Sequence, residues 1–158
     1  MEALAPILAT RLSGQLEGFL ALVGNLEPET LERRPDPGKW SAHENLAHLA
    51  RHHQVMLARL ERILREDRPL LERYRAEDDP QWPARVRVPP RENLSRLKAL
   101  HSDLVAAVRS LSAAELARTG VHPAFGEMSV PAWLELFLLH EAHHLYLVLA
   151  LVAGARRK

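Results

Sequence analysis

The stretch 136–153 is the most apolar part of the chain, and four polar side chains interrupt it: His140, Glu141, His143 and His144. A run of that length reads as a helix. The interruptions make it a buried helix of a folded domain rather than a membrane span, because titratable groups are costly in a bilayer core. Trp133, Phe137, Leu147 and Leu151 lie close in angle to His140 and His144 on a helical wheel. The two histidines therefore break into an inward, apolar wall.

The rest of the sequence is helical too. Leu and Ala dominate an apolar content of 47%, β-branched residues are sparse and aromatics make up 5%, a composition that favours helices over strands. Leu4, Ile7, Leu8, Leu12, Phe19, Leu22, Val23 and Leu26 recur at steps of three and four, which predicts a first helix over 4–26. A short helical turn follows at 28–33, and then the breaker Arg34-Pro35-Asp36-Pro37-Gly38. Ser41 and Glu44 form a capping box that opens a second helix running to about Glu66. The proline-rich segment 67–90 reads as a long crossover, with a helical turn around 70–74. A third helix covers 90–111. A second capping box, Ser112 with Glu115, opens a short turn, and His122-Pro123-Ala124-Phe125-Gly126 reads as a loop. The fourth helix starts near Ser129, tolerates Pro131 in its first turn, and ends with Gly154 as its C-cap before the basic tail Arg156-Arg157-Lys158.

The two halves share one pattern: long helix, short turn, Pro/Gly loop, serine cap, histidine-bearing helix. This predicts an all-α protein, a four-helix bundle with a long connection between helices two and three, forming one domain over 1–158 with approximate two-fold symmetry. Helices two and four can then face each other. The charge of +1, with both signs mixed along the chain, provides no field for nucleic acid or an anionic membrane. Cysteine is absent, so any metal must be held by His, Asp or Glu. With an early Glu2 and Pro6 and no cleavage pattern, a cytoplasmic location is expected.

Nine histidines are many for this length, and seven fall in two clusters: His43, His48, His52 and His53, then His140, His143 and His144. His140 and His144 are one turn apart on one helical face, the spacing at which two imidazoles converge on one ion. A shared metal would also supply the partner that two imidazoles in an apolar wall need. On the second helix, periodicity places His53 on the apolar stripe and His48 at its edge beside His52 and Asn45, and leaves both in contention as a third ligand. His43, His101 and His122 read as surface or loop residues.

The segment Lys39-Trp40-Ser41-Ala42-His43-Glu44-Asn45-Leu46-Ala47-His48-Leu49 resembles the W-S-x-x-E-x-x-x-H-L entry to the second helix of the DinB/YfiT superfamily, particularly its DinB-like branch. His122-Pro123-Ala124-Phe125-Gly126 resembles that family's approach to its last helix, and His140-Glu141-Ala142-His143-His144 its closing histidine signature. The resemblance covers nearly the whole chain. It implies a four-helix bundle with one divalent metal ion, zinc or nickel, on His48, His140 and His144, and so favours His48 over His53. Many members carry Gln where this chain has Leu147. Three neutral imidazoles leave an open coordination position, the pattern of a catalytic site. The resemblance further implies a metal-dependent S-transferase, active in detoxification or stress response, that joins a low-molecular-weight thiol such as bacillithiol or mycothiol to an electrophile. A hydrolase or isomerase on the same site, or a non-catalytic metal-stabilised module, are the alternatives. Family bundles often pair, so a homodimer is expected. Glu44 is a candidate to orient His48, although closing the capping box is the favoured role. His52, Trp133, Phe137 and Leu147 are candidates for the pocket.

Overall fold

The computed structural model describes residues 4–155; residues 1–3, with Glu2, and the basic tail 156–158 lie outside the described residues. Pro6 opens α1 (Pro6–Val23), where a missing N–H costs nothing. The helix stops short of Leu26, because Gly24 and Asn25 weaken it and Pro28 begins the next element, α2 (Pro28–Glu32). A loop with Gly38 at φ 78 then turns the chain into α3 (Ala42–Arg65). Both halves of the capping box form there: Glu44 N–H donates to Ser41 Oγ at 3.1 Å, and Ser41 N–H donates to Glu44 Oε2 at 2.8 Å.

The crossover is more ordered than its proline content implies. The expected turn at 70–74 is absent. Leu70 instead forms a parallel bridge to Val121, and Leu71 N–H donates to Val121 O at 2.9 Å. A 3-10 turn (Ala76–Asp78) and α4 (Trp82–Arg85) follow. Next come α5 (Pro90–Arg109) and α6 (Ala113–Leu116), the latter begun by the Ser112–Glu115 capping box. The presumed loop around His122 is a hairpin of β1 (Thr119–His122) and β2 (Gly126–Ser129), paired Thr119 to Ser129 and His122 to Gly126. Gly126, the first residue of β2, adopts a left-handed φ of 74, which glycine takes without strain where the chain leaves the turn. Strands of four residues, one containing Gly120, carry little periodic signal, and the added bridge from β1 goes to the distant 69–71 segment. The last helix, α7 (Val130–Ala155), runs through Gly154, which therefore is not a C-cap and does not have positive φ.

The chain is a four-helix bundle of α1, α3, α5 and α7. Helix α3 packs on both α5 and α7, and α1 packs on α7 and α5. Val130–Gly154 is long and apolar enough to cross a membrane. In the bundle, its Trp133, Leu134, Phe137, Leu138, Leu145 and Val148 are core residues. Two apolar clusters fill the interior. One contains Leu12, Met56, Leu104, Trp133 and Phe137; the other contains Leu16, Leu49, Leu97, Leu145 and Val148. Between them each long helix contributes polar side chains.

Candidate metal centre

His48 projects from the second turn of α3, and His140 and His144 from successive turns of α7. Their Nε2-bearing edges meet: His48 Nε2 lies 3.2 Å from His140 Nε2. All three rings pack within 5.1 Å, centroid to centroid, and one nitrogen from each lies within 4.8 Å of the other two. Two imidazole nitrogens bound to one tetrahedral ion sit about 3.3–3.4 Å apart, given metal–nitrogen bonds of about 2.0–2.1 Å. The observed spacing fits that edge. His53, the rival from periodicity, does not reach this group.

The tautomer of His144 is set from the start of α3. Its Nδ1–H donates to Asn45 Oδ1 at 2.8 Å, and Asn45 Nδ2 donates to Ser41 O at 2.8 Å. The second bond orients the amide, the first leaves Nε2 of His144 as a bare lone pair, and together they form the outer support that ligating histidines use. Burial holds His48, His140 and His144 down to about 3, with mutual repulsion among the histidines adding to it. All three are thus neutral near pH 7, the form that binds metal. Nδ1 of His48 and of His140 has no hydrogen-bond partner among the described residues.

Aromatic side chains enclose the triad. Trp40 lies 5.2 Å from His48 and 6.2 Å from His144, and Trp82 packs on Trp40 at 5.0 Å. Tyr74 stacks on His48 at 5.7 Å. Two of these come from the crossover, which is held down around Asp79: its carboxylate accepts from Tyr74 Oη and Arg85 Nε, both at 3.2 Å. His52 is not part of the nitrogen cluster. It stacks on His140 at 3.8 Å and thereby limits that ring's rotation.

Two openings flank the triad. On the His140 side, a cavity of ≈ 280 Å³ has Phe137, Trp133 and Phe125 as apolar walls, with Arg59, Arg73, Tyr74 and His122 as polar groups. On the His144 side, an open groove of ≈ 520 Å³ is lined by Trp40, Leu147, Lys39 and Asp36, among others. Leu147 therefore faces the groove, while Trp133 and Phe137 belong to the cavity. The Trp133 indole N–H donates to Gly120 O at 3.3 Å, which ties the hairpin to α7.

Glu44 takes the favoured capping role and does not orient His48: its carboxylate accepts from Arg34 Nε at 3.0 Å and from Ser41 N–H. Burial alone would raise this carboxyl, but Arg34 and Ser41 hold it below its ordinary value. His43, His101 and His122 are buried rather than exposed. His43 donates through Nε2 to Val86 O at 3.1 Å, a partner supplied by the crossover. His122 Nδ1 accepts the N–H groups of Ala124 and Phe125, at 3.0 and 3.2 Å, and so caps the hairpin turn. Asn45, Tyr74, Trp82, Arg59 and Arg73 escaped the sequence reading of the site. Only Asn45 had a usable signal, as an amide beside His48 at the edge of the stripe.

The family model of the DinB superfamily matches residues 11–148. The chain belongs to the DinB superfamily. Among curated relatives, a protein of Oceanobacillus iheyensis is 28% identical over 123 residues, 77% of this chain and 70% of that protein. One from Halalkalibacterium halodurans is 25% identical over 127 residues, 79% of this chain and 72% of that protein. Both are named for a proposed metal-dependent hydrolase activity. Among solved structures, YfiT from Bacillus subtilis matches with a TM-score of 0.79 at 20% identity, covering 98% of this chain and 91% of that one. It is described as a proposed metal-dependent hydrolase with an unusual four-helix bundle topology. The likeness extends the family assignment to the fold.

Proposed function

We propose that this DinB-superfamily member is a metal-dependent enzyme that joins a low-molecular-weight thiol to an electrophile, with zinc or nickel held by His48, His140 and His144. The observation that carries this reading is the pair of openings on either side of the triad, one against His140 and one against His144. A transfer between two small molecules needs two berths at one centre. The groove presents Lys39 and Asp36, one charge of each sign, which suits a small zwitterionic thiol such as bacillithiol. The cavity presents aromatic walls for the electrophile, with Arg59 and Arg73 for a developing or resident negative charge. Bound at three neutral imidazoles, a divalent ion lowers the pKa of a thiol or of water at its open position. The chain's own part is to keep the imidazoles neutral, to fix His144 through Asn45, and to cover the centre with Trp40, Trp82 and Tyr74.

A hydrolase is the second reading, favoured by the names of the relatives. One experiment separates the two. Zinc- or nickel-loaded chain is assayed for loss of bacillithiol or mycothiol with a haloalkane-type electrophile, and in parallel for cleavage of activated esters and amides. Thiol conjugation that disappears in His140→Ala supports transfer. Ester or amide turnover alone, lost in the same variant, establishes hydrolysis instead. Neither activity, with stability unchanged by chelation, would make the chain a non-catalytic module. We further propose a cytoplasmic homodimer that binds neither nucleic acid nor membrane, and Leu139, Tyr146 and Leu149, exposed on α7, motivate the pairing. Sedimentation velocity at micromolar concentration would show a single dimer boundary.

A further inference from the structure

The four long helices place a polar layer between the two apolar clusters, and it is separate from the triad. On α3, His53 lies between Ala50 of one cluster and Met56 of the other; on α5, His101 lies between Leu97 and Leu104; on α7, Glu141 lies between Leu138 and Leu145. On α1, Gln15 lies between Leu12 and Leu16. Relative exposures of His53, His101 and Glu141 are 0%, 3% and 0%. Glu141 follows His140 directly, so its side chain leaves α7 about 100° further around the helix.

Each of the three presents one atom without a hydrogen-bond partner among the described residues: His53 Nε2, His101 Nδ1 and Glu141 Oε1. Their other polar atoms are engaged. His53 Nδ1 donates to Leu49 O at 2.9 Å, which leaves Nε2 as a lone pair. His101 Nε2 faces Ser13 O at 3.5 Å. Glu141 Oε2 accepts from Gln15 Nε2 at 2.8 Å, and the same amide donates to Leu138 O at 3.0 Å. One ligand atom from each residue lies within 4.8 Å of the other two, and His53 Nε2 lies 3.3 Å from Glu141 Oε1. Buried polar atoms ordinarily find partners. Three orphans converging on one point, each with its opposite atom anchored to the backbone or to a glutamine, have the form of a ligand set with its outer support.

We propose that His53, His101 and Glu141 form a second metal site, in the centre of the bundle, for a zinc-class divalent ion. Two imidazoles and one carboxylate are a donor set that zinc accepts. They leave a divalent ion with one net positive charge, against two at the triad, so the central site suits a dry interior better. Facing helices of a bundle commonly build such sites in their core. His101 also lines a groove between α1 and α5 whose wall includes Ser13, Gly14 and Glu17, the side of the bundle nearest this layer. Small residues at Ser13 and Gly14 leave that side thinly covered.

The test is metal stoichiometry on the untagged full-length chain, stripped with chelator and reloaded with Zn²⁺ or Co²⁺ alone. Two equivalents per chain are expected, falling to one in His144→Gln, which spares the central site, and to one in His101→Gln, which spares the triad. X-ray absorption of cobalt in His48→Gln/His144→Gln should show imidazole nitrogen and carboxylate oxygen ligands. If His101→Gln does not fold by circular dichroism, Glu141→Gln replaces it. One equivalent in wild type, with none in His48→Gln/His144→Gln, would overturn the proposal. So would a second equivalent that persists in both His101→Gln and Glu141→Gln. Loss of the triad's metal alone would defeat the functional reading and leave the central site standing.

Discussion

Removing metal should make this protein acid-sensitive through the triad. In the metal-free chain, burial holds His48, His140 and His144 to about 3, against about 6.5 for an exposed histidine. The sign follows from proton counting. Above pH 6.5 neither state binds protons at these rings and they contribute nothing to pH dependence. Below it the unfolded chain takes up protons that the folded chain refuses, so stability falls as pH drops from 6.5 towards 3. Each ring contributes roughly 1.4 kcal/mol per pH unit in that window. Water reaches part of these rings and softens the penalty. A loss of about 2–3 kcal/mol for the three together is therefore expected between pH 6.5 and 5.5, a large share of a domain stability of about 5–15 kcal/mol. The assay is urea unfolding of the chelated chain, followed by circular dichroism from pH 7.5 to 5. The control is His48→Gln/His140→Gln/His144→Gln, which keeps His52, His53 and His101, all three also held low by burial. The triple variant should lose markedly less stability over the same window. Parallel pH profiles for the two chains would refute the reasoning.

Asn45→Ala removes the acceptor for His144 Nδ1–H and should weaken metal binding about 10–100-fold, measured by competition with a chromophoric chelator. Glu44→Ala breaks the α3 capping box and the Arg34 pair, and should cost about 1 kcal/mol in urea unfolding; metal affinity should not change, since Glu44 does not touch His48. Gly120→Ala would place a Cβ 2.8 Å from Leu71 Cδ1 and 3.0 Å from Ile63 Cγ1. Overpacking of that kind costs about 1–3 kcal/mol, visible as a lower Tm.

Helix α3 and the helix-four histidines show how much was legible beforehand. A capping box is local chemistry, so Ser41 and Glu44 marked the start of α3 in the sequence and again in the structure. His140 and His144 share a face because a helix repeats every 3.6 residues, whatever surrounds it. Those rules also established the four helices and their all-α class. They do not say what stands opposite a helix. His48 and His53 could be separated by the family motif but not by angle, since only the packing of α3 on both α5 and α7 sends one histidine to the triad and the other to His101 and Glu141. The hairpin at 119–129 was hidden in part for the same reason: besides its own β1–β2 ladder, Val121 exchanges backbone hydrogen bonds with Pro69 and Leu71, some fifty residues away. Burial of His43, His101 and His122 likewise depends on neighbours from other elements. Helix existence and the spacing of residues along one face were properties of the chain alone, because both follow from interactions within a few residues. Which faces meet, and so which histidines converge, was decided only when the four helices closed around a common core.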